Sequence, residues 1–165
     1  MSAEASPFDP RDVRLRPIRP DDKVLLQRGL ANLSLESTVQ RFLGPKPSFS
    51  GAELRYLTEV DMTDHVALVA MLGDELIAVG RFVRDPKHPH QAEVAITVGD
   101  PWQGKGLGTL LGDALVEAAR ERGITEFTAL LQGTNRAAHR LFSHVAGQLT
   151  TRTADGVDEL VGALA

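Results

Sequence analysis

The stretch Ala92–Gly123, AEVAITVGDPWQGKGLGTLLGDALVEAARERG, decides the fold, because it sets an apolar strand, a glycine-rich turn and a long amphipathic helix in direct succession. Ala92 to Val98 is β-branched and apolar apart from Glu93 and Thr97, as a mostly buried strand requires, and Gly99, Asp100 and Pro101 stop it. Gln103-Gly104-Lys105-Gly106-Leu107-Gly108 then places glycines at alternate positions, so no Cβ blocks an approaching ligand and successive amides can converge on one anion. From there Leu107, Leu110, Leu111, Ala114, Leu115, Ala118 and Ala119 share one helical face, with Asp113, Glu117, Arg120 and Glu121 mainly on the other. Gly123 is placed to end the helix. A strand feeding a helix through such a turn offers unpaired N–H groups and the positive end of the helix dipole to a phosphate or pyrophosphate.

Two phosphate motifs are excluded by single residues. Gly99 to Lys105 satisfies seven positions of GxxxxGK[ST], but Gly106 stands where a hydroxyl should bind magnesium, which argues against a nucleotide triphosphatase. Gly104 and Gly106 are followed by Thr109 where the third glycine of GxGxxG belongs, and the motif comes too late in the chain for a first βαβ unit.

Gln103-x-x-Gly106-x-Gly108, after a strand ending V-x-x-P-x-Q, resembles the acetyl-CoA motif of the GCN5-related N-acetyltransferases (GNAT), Q/R-x-x-G-x-G/A. The resemblance runs from about Val13 to Gly147. It implies acetyl-CoA as cosubstrate, its pyrophosphate held by the amides of Gln103, Gly104, Lys105, Gly106, Leu107, Gly108 and Thr109. It also implies that Ile96, Thr97 and Val98 offer backbone groups to pantetheine, and that Asn135 helps hold the cofactor. Within the family, Arg14–Asp22 (RLRPIRPDD), Leu33-Ser34-x-Glu36-Ser37 with Arg41-Phe42, Asp61-Met62-x-x-x-x-Ala67-Leu68-Val69-Ala70 and Trp102–Gly108 look like the catalytic domain of the Pat-type bacterial protein lysine acetyltransferases. That implies lysine ε-amino groups of proteins as acceptors, AMP-forming acyl-CoA synthetases among them.

The rest of the chain reads as elements around that centre. At 165 residues one domain with a proper core is expected over residues 12–165, after a flexible leader at 1–11. Val13–Ile18 alternates as a first strand. Asp21 or Asp22 caps a helix to about Leu33, Ser34 and Ser37 open a second to about Gly44, and Ser50–Thr58 forms a third. Asp64–Leu72 and Glu75–Val83 form a hairpin about Gly73-Asp74, and Asp85–His90 is read as a loop. Glu126–Leu131 is a strand, Thr134 or Asn135 caps a helix to about Val145, and Leu149–Thr153 with Glu159–Leu164 makes a last hairpin. This order gives an α/β fold with a mixed, mostly antiparallel central sheet flanked by helices.

Composition narrows the function. Hydrophobic residues make up 42% and charged residues 24%, ordinary globular values, and the longest apolar run, Val66–Leu72, is far short of a membrane span. A net charge of -4 argues against nucleic acid as partner, and no membrane partner is expected. The absence of cysteine removes disulfides and a thiol nucleophile and fits a cytoplasmic protein.

Transfer to an amine needs a base, because a lysine ammonium has no free lone pair near neutral pH. Glu93 is the one charged residue of the central strand, where partial burial would make a carboxylate a stronger base; the bland reading is a solvated strand glutamate. In the Pat-type enzymes the matching glutamate is the base, often through water. Phe142 stands where many relatives have a tyrosine to protonate the leaving thiolate, and Tyr56 is the only tyrosine, which leaves water or Ser143. Asn135 is equally an N-cap, and Gly147-Gln148 replaces the family's Gly-Phe. His88 and His90 read as solvated loop residues, His139 and His144 as helix-surface residues, and His65 as a substrate contact; no metal is expected. The alternatives are a small-molecule amine or N-terminal α-amine acetyltransferase and, from another class, a CoA-sensing or scaffold module.

Overall fold

The computed structural model describes residues 8–165, the Gln148 side chain excepted. Seven strands, β1 (Val13–Pro17), β2 (His65–Leu72), β3 (Glu75–Asp85), β4 (His88–Val98), β5 (Glu126–Gln132), β6 (Ala146–Ala154) and β7 (Val157–Leu164), form one sheet in the order β1-β2-β3-β4-β5-β7-β6. Every pairing is antiparallel except β4 with β5, so the expected mixed, mostly antiparallel sheet is what forms. The parallel step needs a crossover, and α4 (Leu107–Glu121) supplies it.

Side-chain alternation sorts the sheet into two faces. Val66 and Phe82 pack with Leu115, Val116 and Ala119 of α4 and with Phe127 and Leu160. Burying each leucine of that seam contributes roughly 1.5–3 kcal/mol. The helix comes close to the sheet because β3 carries Gly80, where a Cβ would stand 2.9 Å from Leu115 Cδ1. On the opposite face Ala67, Val69 and Met71 pack with Ile18, Leu25 and Val60, under α1 (Lys23–Ala31) and α3 (Gly51–Thr58). Helix α2 (Leu35–Phe42) lies by the β4–β5 seam, and α5 (Arg136–Val145) packs on α4.

Local chemistry explains the boundaries. Ser34 Oγ accepts from Ser37 N at 3.1 Å, and Ser50 with Glu53 forms a full capping box before α3. Asp22 works differently from the expected helix cap: its carboxylate accepts from Arg19 N at 2.7 Å and pairs with the Arg16 guanidinium through two 2.8 Å bonds, closing a short 3-10 turn ahead of α1. Gly123, at φ +76°, ends α4 as expected.

Three readings change. Asp85–His90 is not a loop, because β3 runs to Asp85 and β4 begins at His88. The Pro89 carbonyl accepts from Arg84 Nη1 and the His90 carbonyl from Thr125 N at 2.9 Å, which holds this segment extended beside a register shift that accommodates the proline. On α4, Leu110 is 40% exposed, while Gly112 and Val116 are buried in its place. The contact with α5 decides that face: a Cβ on Gly112 would lie 2.7 Å from Val145 Cγ1. The final hairpin starts earlier than Leu149, at Ala146, directly after α5. Of the expected leader, residues 1–7 lie outside the described residues, whereas Phe8 packs against the cluster of Ala70, Ile77 and Leu107 and Pro10–Asp12 form a turn capped by Asp9. Among the described residues no helix is long and apolar enough to cross a membrane.

Candidate active site

β4 pairs with β3 up to Val98, but with β5 only at Gln91, Ala92 and Glu93, opposite Glu126, Phe127 and Thr128. Beyond Glu93 the two strands separate. The gap is a cleft of about 320 Å³, walled by β4 from Glu93 to Val98, by Ala129–Leu131 of β5, by α5 and by the end of α2. Glu93 therefore sits where the seam opens. It is exposed, so the partial burial expected of it is absent. Arg41 of α2 lines the same cleft; burial pushes its guanidinium below the ordinary value, against the pull of the Glu93 carboxylate.

The expected cofactor residues fall into three groups. Ile96, Thr97, Val98, Gln103 and Asn135 line the cleft. Gln103 does so as a brace, its Nε2 donating to the Val98 carbonyl at 3.0 Å and to Ser37 Oγ at 3.2 Å, which ties α2 to the strand end. Asn135 Oδ1 accepts from Ala138 N at 3.2 Å as the α5 N-cap, leaving its amide donors to the cleft, so both roles read from the sequence are compatible.

Gly104, Lys105, Gly106 and Thr109 are exposed at the start of α4, with Gly108 half-buried. Gly104 and Gly106 hold φ of +72° and +87°, and a Cβ on either would meet nothing within 4 Å. The N-cap is Gly106, which has no side chain to cap the first-turn N–H groups. Leu107 stands apart: its side chain is buried with Ala70, Ile77 and Leu111, so only its amide can serve a ligand.

Phe142 is 3% exposed and closes the cleft floor from α5. Ser143 is exposed and is not among the cleft-lining residues. Tyr56 lies on α3 with its ring 4.9 Å from that of His65. The substrate contact expected of His65 is not what forms: it is 9% exposed, its Nε2 faces Arg81 Nη1 at 2.9 Å, and burial followed by the Arg81 charge pushes it down to about 4. His88 and His90 are exposed but sit on β4, beside Asp85 and Glu126. His144 meets Asp113 at 2.8 Å, and His139 Nε2 is buried 3.2 Å from Asp158. Among the described residues no group of three or more His, Cys, Asp or Glu is arranged to hold a metal. Arg81 escaped the sequence reading, although it is the lone charge in an apolar run of β3, the same signal that marks Glu93 in β4.

Comparison with known proteins gives the class and then the family. The profile of the acetyltransferase (GNAT) family matches residues 35–147. "Acetyltransferase Pat" of Mycolicibacterium smegmatis is 36% identical over 79% of this chain, which spans 40% of that relative's length. An acetyltransferase of Pseudomonas aeruginosa is 29% identical over 81% of this chain and 73% of its own. Among solved structures, the GNAT domain of PAT from S. lividans superposes with a TM-score of 0.84 at 33% identity, over 92% of this chain and 90% of that one. The chain belongs to the GNAT acetyltransferase family.

Proposed function

We propose that the protein transfers an acetyl group from acetyl-CoA to lysine ε-amino groups of proteins, AMP-forming acyl-CoA synthetases first among them, by direct attack. One observation carries this reading: the seam between β4 and β5 opens at Glu93, so a carboxylate and an unpaired strand edge share one cleft, which reaches Gln103 at the turn leading to the uncapped start of α4. The helix start takes the pyrophosphate, and the open edge from Val94 to Val98 takes the pantetheine arm. Asn135 adds its amide donors.

Glu93 is the general base. Val98 lies five positions along β4 from it, about 17 Å, so an acyl carbonyl polarised by the amides around Val98 lies beyond direct contact with the carboxylate. The amine proton therefore reaches Glu93 through ordered water, and the exposure of Glu93 suits that relay better than burial would. No side-chain acid of the cleft stands in for the missing tyrosine, and water protonates the CoA thiolate, a good leaving group with a pKa near that of a free thiol, about 8.5. The similarity to Pat supports the protein-lysine acceptor over a small amine.

The test is mass spectrometry of lysine acetylation in a proteome supplied with acetyl-CoA and either wild type or Glu93→Gln. Sites added by wild type alone, on an acyl-CoA synthetase above all, support acceptor and base together. If neither protein adds sites although acetyl-CoA binds, the protein-lysine reading fails and a small-molecule acceptor or a sensing role replaces it.

A further inference from the structure

Beside the acyl cleft lies a second cavity, of about 210 Å³, between the helices α1–α3 and the sheet. Arg41, Phe42 and Thr97 line both spaces, so the second is a side chamber of the first. It opens on the sheet face that carries Glu93. Arg81 is registered with Ala95 and Val79 with Thr97, and Glu93 shares the face of Ala95 and Thr97 by strand alternation.

The walls are largely apolar, with Leu30, Phe49, Leu57 and Val79 among them, yet two guanidiniums, Arg41 and Arg81, line it close enough to feel one another's charge. Arg81 is only 6% exposed. Its Nη1 donates to the Leu57 carbonyl at 3.0 Å and to His65 Nε2 at 2.9 Å, both neutral acceptors, because desolvation keeps His65 uncharged near neutral pH. Desolvation and then the facing Arg41 push the Arg81 guanidinium down to about 10, still charged at neutral pH. Among the described residues no carboxylate reaches salt-bridging distance of Arg41 or Arg81. The acidic wall residues lie elsewhere. Glu75 is six residues from Arg81 along β3, about 20 Å, and Asp100 accepts from Ser34 N. Glu93 pulls on Arg41 from the neighbouring cleft, but no carboxylate pairs with buried Arg81, and a buried cation without a counter-ion costs stability, the more so with a second guanidinium near it. A cavity lined by both is suited to an anion that completes it, and a planar fork of N–H donors matches a carboxylate.

We propose that this side chamber recognises a carboxylate carried by the acceptor substrate, held by Arg81 and Arg41, with the apolar walls around its aliphatic stem. The identity of the acceptor as an amine rests on the acetyl-transfer reading above; the anion site itself does not. Arg81 lies one strand over and three residues along from Val98, about 11 Å between backbones, so one aliphatic side chain can join an amine at the acyl carbonyl to a carboxylate at the Arg81 guanidinium. The carboxylate can be that of a free amino acid or of an acidic side chain next to an acceptor lysine.

Initial rates of CoA release separate these sources. One arm compares Nα-acetyl-lysine with its amide; the other compares a lysine peptide flanked by glutamate with the same peptide flanked by glutamine. Removing the carboxylate should raise the acceptor KM at least about tenfold in wild type in one arm, naming the source, and the ratio should collapse toward one in Arg81→Gln and in Arg41→Gln. Arg41→Gln keeps the test open should Arg81→Gln fail to fold. A ratio of one in wild type in both arms, or a ratio that survives in the folded variants, overturns the carboxylate site while leaving acetyl transfer intact. If no acceptor is turned over, the transfer reading has failed on its own. Calorimetry with glutarate then decides: binding to wild type that is lost in Arg41→Gln supports the site, and no binding overturns it.

Discussion

The two edges of β4 carry the same residues and do opposite things. Toward β3 the strand is paired from the hairpin to Val98, and its neighbours on that side continue into a dense interior of Phe82, Val66 and the buried face of α4. Toward β5 it is paired at three positions and then left alone. A backbone edge inside a protein normally finds a partner, because an unpaired buried N–H or C=O is expensive. An edge kept open beside a cleft is thus a place for a ligand to complete the sheet. The closed edge makes the fold; the open one makes the site.

The largest effect should come from breaking the open side at its far end. Gly106→Glu puts a negative side chain into empty space where the uncapped N–H groups of α4 converge, and should weaken acetyl-CoA binding by on the order of 1,000-fold, about 4 kcal/mol. Part of any change at this position is backbone strain, since φ is +87° and an L side chain there costs roughly 1–2 kcal/mol of stability. Gly106→Ala carries the strain without the charge and should still bind. Calorimetry with acetyl-CoA and a thermal melt of both variants separate the two terms; normal binding by Gly106→Glu would remove the helix start from the site.

The closed side answers to pH. His65 stays neutral in the folded protein down to about pH 4, whereas in the unfolded chain it titrates near 6.5. Between those values the unfolded chain holds the extra proton, so stability falls as pH drops through the window, by up to about 3 kcal/mol at its lower end. Acidic residues add slopes of their own, so the quantity to measure is the difference between wild type and His65→Gln, which keeps an acceptor for Arg81 without a titrating ring. Parallel melting-temperature curves for the two proteins from pH 6.5 to 4 would contradict the buried, neutral assignment.

A smaller loss is expected where the closed side meets α5. Gly112→Val drives a side chain into Val145, at 2.7 Å from the position of its first carbon, and should destabilise by about 2 kcal/mol in urea unfolding. Acetyl-CoA should still bind to the folded fraction, in contrast to Gly106→Glu. Gly106 stands at the N-cap of the helix that carries Gly112, and only the fold tells which is needed for packing and which is open to a ligand.

That distinction marks how far the sequence could be read. The Ala92–Val98 part of strand β4, the turn, helix α4, the start of α2 at Ser34 and the cap at Asn135 depend on residues within a few positions of one another, and all were legible. Where partners come from distant segments the reading fell short. A helical wheel finds the apolar face of α4 but not α5, whose approach buries Gly112 and Val116 and leaves Leu110 outside. Periodicity could not show that β5 leaves β4 at Glu93, so the expected burial of Glu93 was replaced by exposure at the mouth of the cleft. The histidines in the proline-rich segment looked like loop residues because the groups that hold them extended, Arg84 and Thr125, bond through the tertiary fold.

The least change should follow from restoring the tyrosine that the cleft lacks. Phe142 is buried and lines the cleft, so Phe142→Tyr adds a hydroxyl at the cleft wall. A CoA thiolate leaves readily, and a general acid contributes only as far as leaving-group protonation limits the rate. Turnover with a lysine peptide should therefore rise no more than a few-fold, with acetyl-CoA binding unchanged. A gain above about 100-fold, within the range that general acids supply, would mean that protonation limits the wild-type enzyme and that the open edge of β4, base included, was waiting for an acid. A modest gain fits the proposed relay through Glu93, with protonation of the thiolate left to water.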